Sequence, residues 1–171
     1  MKIGILSDSH HRTTLHREAI SHLIEEGAEY LLHAGDIDSR EHIEMLKESQ
    51  KPYSIVFGNN DNHLKELSSL YPIHQEPHYL KIKNLKVKMM HMPYYMTPDA
   101  DLVISGHTHY FSADVKNSTL FLNPGEVCAR EKKLSESVLL TVTDELWSVQ
   151  YFFRHPDSEL WQNKVYVFSR K

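Results

Sequence analysis

The chain opens on a short, mainly apolar run, Lys2 to Leu6, that breaks off abruptly into Ser7-Asp8-Ser9-His10-His11. This junction constrains the fold more than any other stretch. A brief, mainly apolar segment suits a strand buried on both faces. A carboxylate and an imidazole two residues apart, just past such a strand, sit where open α/β sheets gather their ligand sites, at the carboxyl ends of the strands. One Asp-x-His means little, because a turn aspartate or a helix cap explains it equally well. Recurrence is what makes it informative. Tyr30 to Ala34 ends in Gly35-Asp36, and Tyr53 to Phe57 ends in Gly58-Asn59-Asn60-Asp61. Val87 to Met90 ends in His91, and Leu102 to Ser105 ends in Gly106-His107-Thr108-His109.

Between the first of these runs the pattern is helical. Leu15, Ala19, Ile20, Leu23 and Ile24 form a stripe at 3.6 spacing over Thr13 to Glu26, with Thr13 or Thr14 as the expected cap and Gly27 at the C-terminal turn. A second helix is expected over Ser39 to Ser49 with Ile43 and Leu46 inward, and a third helical patch near Leu64 to Leu70. Alternating strands and helices call for right-handed βαβ units and parallel pairing. The later chain reads as β-rich. A hairpin runs from Tyr79 to Ile82 and from Val87 to Met90 around Asn84, and strands follow at Leu120 to Leu122, Val138 to Val142 and Trp147 to Phe153. The polar tail from His155 to Lys171 holds Leu160, Trp161, Val165, Tyr166 and Phe168, enough for one more strand. The expected fold is α/β in one domain over residues 1–171. Two facing mixed β-sheets form a sandwich flanked by helices in four layers (α/β/β/α), with the special loops along one edge.

Composition excludes several classes. A net charge of −4 offers no general affinity for nucleic acid or anionic membranes. Cys128 is the single cysteine, so no internal disulfide can form and a reducing compartment is expected. Asp8 interrupts the N-terminal apolar run, and no segment reaches the ~18 apolar residues of a membrane span. The expectation is a cytoplasmic protein. Of thirteen histidines, His16, His22, His42, His63, His74 and His155 are expected on the surface.

Collected, the strand-end loops supply Asp8, His10, Asp36, Asn59, His91, His107 and His109. Carboxylate, imidazole and amide oxygen without thiolate suit Mn²⁺, Fe²⁺, Zn²⁺ or Ni²⁺. The set exceeds what a structural zinc uses and fits two ions sharing a bridge, for which Asp36 is the natural candidate. Two divalent ions against two aspartates leave the cavity positive, so it attracts anions, and phosphate esters are the obvious anionic electrophiles. Gly35, Gly58 and Gly106 precede these residues, where a side chain would crowd the centre.

In order and spacing, Asp8-x-His10, Gly35-Asp36, Gly58-Asn59, His91 and Gly106-His107-Thr108-His109 resemble the calcineurin-like metallophosphoesterases. The likeness is nearest to their small, capless YfcE-like phosphodiesterases and extends to Asn123-Pro124-Gly125. The resemblance implies that Asp8, His10, Asp36 and His109 hold one divalent ion and that Asp36, Asn59, His91 and His107 hold a second. Manganese is the leading candidate, with Ni²⁺, Fe²⁺ or Zn²⁺ as alternatives. It further implies that a hydroxide bridging the ions attacks a small phosphate diester, and that the chain forms a homodimer. Alternatives are a phosphomonoesterase or nuclease of the same fold, or a non-catalytic protein-binding scaffold like the small retromer subunit.

Two positions depart from the family pattern. Asn60 stands where many members have histidine, followed by Asp61; both are candidate catalytic residues. An asparagine donates a hydrogen bond but no proton, so activated aryl diesters should be cleaved far better than alkyl esters. The usual His-Gly is replaced by His91-Met92, with Pro93 next. Among secondary candidates, His33 either supports a ligand from behind or is a buried strand histidine, and Asp61 either orients a neighbour or caps the next helix, with capping preferred. Arg130 either reaches phosphate or makes a surface ion pair, His11 stands outside the ligand set, and Tyr94 and Tyr95 wall the pocket or pack their loop.

Overall fold

In the computed structural model, which describes residues 1–170 and leaves only Lys171 of the expected tail outside the described residues, the N-terminal run is strand β1 (Lys2–Leu6). It pairs in parallel with β2 (Tyr30–His33), which pairs in parallel with β3 (Tyr53–Val56), and β3 with the two-residue β4 (Ile73–His74). A second sheet holds the hairpin β5 (His78–Ile82) and β6 (Leu85–Met89), then β7 (Leu102–Ile104), β9 (Thr119–Asn123) and β8 (Ser112–Lys116), in the order β5-β6-β7-β9-β8. The chain then returns to the first sheet. Strands β10 (Ser135–Val142), β11 (Leu146–Arg154) and β12 (Gln162–Ser169) extend it antiparallel on the far side of β1, giving the order β12-β11-β10-β1-β2-β3-β4. Strand β1 is therefore the middle of seven, and the tail is its edge strand.

The two-residue period of the strands divides the core in two. Ile3, Ile5, Leu32, Val56, Val138 and Leu140 face the second sheet and meet Val87, Met89, Leu102, Ile104, Leu120 and Leu122 there, all of them buried. Leu6, Leu31, Ile55 and Leu139 point the other way, against helices α1 (Thr13–Glu25) and α2 (Arg40–Glu48). Each fully buried aliphatic side chain contributes about 1.5–3 kcal/mol by leaving water. Truncating one such as Leu23 would cost about 2–5 kcal/mol. On the outer face of the second sheet, among the described residues, Met90, Ala100 and Val103 pack with Phe121, so loop rather than helix forms the outermost layer there. No helix of the described residues is long and apolar enough to cross a membrane.

Several local expectations are corrected. Helix α1 begins after Arg12 with no side-chain cap, because the Thr13 hydroxyl donates instead to His42 Nε2 at 3.1 Å. Helix α2 is capped by Ser39, whose side chain accepts from His42 N–H. The third helical patch is a 3-10 helix, Asn62–Ser69. His16 and His42 are buried, at 0% and 1% exposure, rather than on the surface. Strands β4 and β8 were not expected: β4 is too short to show a period, and β8 alternates only the small Ala113 and Val115 against Ser112, Asp114 and Lys116.

Candidate metal centre

The loops at the carboxyl ends of β1, β2, β3, β6 and β7 converge, and their backbones are sewn together. Asp8 N–H donates to Gly35 O at 3.0 Å and His10 N–H to Asp36 O at 3.1 Å. Cys128 N–H reaches Asp8 O at 3.1 Å and Gly106 N–H reaches His91 O at 3.1 Å. This stitching sustains a backbone that isolated residues avoid. Asp8, His10, Asp36, His107 and His109 all take positive φ, between 43° and 65°. Left-handed conformations cost roughly 1–3 kcal/mol each and persist where surrounding structure enforces them, often at functional sites. Of the three glycines, only Gly35 needs its own freedom, at φ +94°. Gly58 and Gly106 are required by proximity: a Cβ would lie 2.1 Å from Asp36 Oδ1 at the first and 2.1 Å from Ser7 Oγ at the second.

All seven expected donors gather in this place, in two halves. In one, His109 Nε2 is 3.3 Å from Asp8 Oδ1, and the His10 and His109 rings stack at 5.4 Å. In the other, Asn59 Oδ1 lies 3.0 Å from His91 Nε2 and 3.1 Å from His107 Nδ1. Asp36 touches both, its Oδ2 being 3.7 Å from His10 Nε2 and 3.4 Å from His91 Nε2.

Electrostatics show what these groups suit. Although burial opposes it, the hydrogen bond to Asp36 and the charges of Asp8 and Asp36 push His91 up to about 9. Asp36 is held well below the usual carboxylate range despite burial, by His91 and by hydrogen bonds from Asn60. Asp8 is pushed up by burial, which outweighs its partners. Two buried atoms at the centre, Asp8 Oδ1 and His10 Nε2, have no hydrogen-bond partner. Buried polar atoms are rarely left so, and each lies beside another donor, Asp8 Oδ1 beside His109 Nε2 and His10 Nε2 beside Asp36 Oδ2, where a divalent ion would satisfy it. The donor set and these two atoms fit such ions.

The remaining candidates fall as follows. The Asn60 backbone and side-chain N–H groups both donate to Asp36, and its side chain also faces an adjoining cleft of about 480 Å³. Asp61 makes no side-chain cap, against expectation. Its carboxylate accepts from Gly58, Asp38 and Ile37 N–H at 2.7, 2.8 and 3.2 Å, which ties the β2 and β3 loops together. His33 lies at the end of β2 and is wholly buried, donating from Nε2 to Ser9 Oγ at 2.8 Å; Ser9 in turn donates to His16 Nδ1 at 2.7 Å. Arg130 makes the expected surface ion pair, its Nε lying 3.1 Å from Glu131, and its Nη2 also lies 2.9 Å from His109 Nε2, on the cleft wall. His11 pairs with Asp38, and Tyr94 and Tyr95 are exposed.

Four participants had not been singled out. Glu76 accepts from the N–H groups of His91 and Met92, anchoring the loop that lacks the usual glycine. Glu126 accepts from His109 Nδ1 at 2.6 Å. Cys128 lies beside His10 and His109, and burial and the Glu126 charge push its thiol up to about 12. Ser9, between Asp8 and His10, links the centre to the buried histidines.

Residues 1–145 match the family model described as the calcineurin-like phosphoesterase superfamily domain. A phosphodiesterase of Methanocaldococcus jannaschii is 30% identical over 141 residues, covering 75% of this chain and 85% of that protein. Among solved structures, an archaeal phosphodiesterase aligns with a TM-score of 0.73 at 24% identity, covering 97% of this chain and 100% of its own. Vacuolar protein sorting 29 from Cryptosporidium parvum aligns with a TM-score of 0.78 at 21% identity, covering 98% and 97%. At such identities these two structures speak for the fold alone.

Proposed function

The chain belongs to the calcineurin-like phosphoesterase superfamily, and on that premise we propose that it is a metal-dependent phosphodiesterase acting on a small phosphate diester. As a phosphoric ester hydrolase its chemistry rests on donors for divalent ions, for Ser7, Ser9 and Cys128 at this centre are buried. Asp8, His10, Asp36 and His109 would hold one ion, and Asp36, Asn59, His91 and His107 the other. Manganese suits the oxygen and imidazole donors best. When bound, the pair of ions supplies Lewis-acid activation of water and of the phosphoryl oxygens.

The chain's own groups do the rest. Asp36, touching both halves, fixes their spacing, and Asn60 holds Asp36 in place. The Arg130 guanidinium, on the cleft wall beside His109, is placed to bind a non-bridging phosphate oxygen. Asn60 stands where a general acid would, and an amide cannot surrender a proton at neutral pH. The leaving group must therefore depart as a stable anion, which favours aryl over alkyl esters.

The observation that carries this reading is that Asp8 Oδ1 and His10 Nε2 are both buried without a hydrogen-bond partner, the first beside His109 Nε2 and the second beside a carboxylate that reaches both halves. A scaffold that works only by protein contact has no need of such a set. The test is to strip the protein with chelator and add back Mn²⁺, Ni²⁺, Zn²⁺ or Mg²⁺. Bis-p-nitrophenyl phosphate is then compared with p-nitrophenyl phosphate. Metal-dependent cleavage favouring the diester supports the proposal. Silence with every metal, and no metal bound, overturns it.

A further inference from the structure

We infer that Glu126 makes the two halves of the centre unequal, giving the Asp8/His10/His109 half the tighter hold on a divalent ion. The inference rests on the dimetal reading above and assigns it an order of loading.

Glu126 follows the Asn123-Pro124-Gly125 turn at the end of β9 and is wholly buried. Its oxygens are both committed. Oε2 accepts from His109 Nδ1 at 2.6 Å and from the Cys128 thiol at 3.3 Å, while Oε1 accepts from the N–H groups of Glu131 and Lys132 at 2.7 and 3.0 Å. Four donors thus satisfy the buried carboxylate. The turn is fixed in its own right, since Glu126 N–H donates to Glu136 Oε2 at 3.0 Å. The carboxylate therefore cannot rotate away from His109.

An anion fixed on Nδ1 has two effects on the imidazole. It settles the tautomer, leaving Nε2 without a proton, between Asp8 Oδ1 at 3.3 Å and the Arg130 guanidinium at 2.9 Å, and it raises the basicity of the Nε2 lone pair. The other half has no equivalent. His91 Nδ1 donates to a neutral group, Ala34 O, at 2.9 Å, and His107 Nδ1 faces the amide oxygen of Asn59 at 3.1 Å. Among the described residues, His109 is the one imidazole of the centre backed by a carboxylate. The Glu76 carboxylate reaches the other half only through the backbone N–H groups of His91 and Met92, whereas Glu126 bonds the His109 ring itself.

The experiment is calorimetric titration of chelator-stripped protein with Mn²⁺, for the parent, Glu126→Gln and Glu126→Asp. The parent is expected to bind in two classes of unequal affinity. Glu126→Gln keeps an oxygen for the backbone donors but removes the charge. It should weaken the tighter class roughly 10–100-fold, the range for groups that orient a metal-bound histidine, and leave the weaker class nearly unmoved. Glu126→Asp restores the charge and should recover part of the loss. The visible spectrum of the Co²⁺-loaded protein gives a second readout that instability alone would not shift. Two equal classes in the parent overturn the inference while leaving the dimetal reading intact, and so does equal weakening of both classes in Glu126→Gln. A parent that binds no metal overturns both.

Discussion

Asn60 holds both oxygens of Asp36: its backbone N–H donates to Oδ1 at 2.9 Å and its side-chain Nδ2 to Oδ2 at 2.7 Å. A residue in the place of a general acid is thus occupied in steadying the carboxylate between the two halves. Replacing it by histidine supplies a proton donor, and general acid catalysis is typically worth about 10²–10⁴-fold. We expect Asn60→His to raise kcat/KM on alkyl diesters at least ~10-fold relative to aryl diesters. An unchanged ratio between the two substrates refutes this.

Asp36→Ala removes a side chain in contact with both His10 and His91. Activity on bis-p-nitrophenyl phosphate should be lost, and calorimetry should show both metal-binding classes weakened together. Weakening confined to one class would show that Asp36 serves a single ion.

His109→Ala should affect chiefly the ion held with Asp8, and His107→Ala chiefly the ion held with Asn59, because each imidazole contacts only its own half. The check is the stoichiometry of bound metal in each variant. Loss from both sites in His107→Ala would be inconsistent with the assignment.

The fold should weaken in mild acid through His16. Burial first, then the neighbouring His42 and the charge of Arg17, lower its pKa from 6.5 to about 3, with the ring also packed against His33. In the unfolded chain the imidazole takes up a proton below 6.5, whereas in the fold it stays neutral. The unfolded state then binds more protons, so stability is complete above 6.5 and falls as pH drops toward 3. Thermal midpoints between these limits should decline less steeply in His16→Gln, which keeps a donor and an acceptor but cannot titrate. Parallel curves would exclude His16 as a source.

Asp61→Ala strands three backbone donors, from Gly58, Asp38 and Ile37. We expect a loss of about 2–4 kcal/mol in urea unfolding, and a smaller loss in Asp61→Asn, which retains one acceptor oxygen. Equal, small losses in both would mean that water replaces the carboxylate without cost.

What could be read from the residues alone is uneven for physical reasons. The buried strands announced themselves because apolar runs ending in Gly35-Asp36 or Gly106-His107 combine a strand signal with an abrupt change of chemistry. The seven donors followed from those endings. Glu126 did not, because its partner His109 is brought to it only by the pairing of β7 with β9. His16 could have been placed correctly: with Ile20 and Leu23 it falls at i, i+4 and i+7, on the apolar stripe of α1. Residue type suggested the surface, but hydrogen bonds to Ser9 and His42 O make burial of the ring tolerable. The expected cap at Thr13 failed likewise, because a partner from α2 competes for its hydroxyl.

The crowding around Gly58 and Gly106 bears on how such a chain can diverge. A single added carbon at either position would collide with Asp36 or Ser7, so the positions that set the interior of the centre admit almost no variation. The cleft beside it is different: Arg12, Ala129 and Arg130 lie on its wall, and both arginines are exposed. Mutation can explore Arg12 and Ala129 while Arg130 and the ion-binding interior stay fixed. Descendants of this sequence can acquire new substrates far more readily than a new way of cutting them.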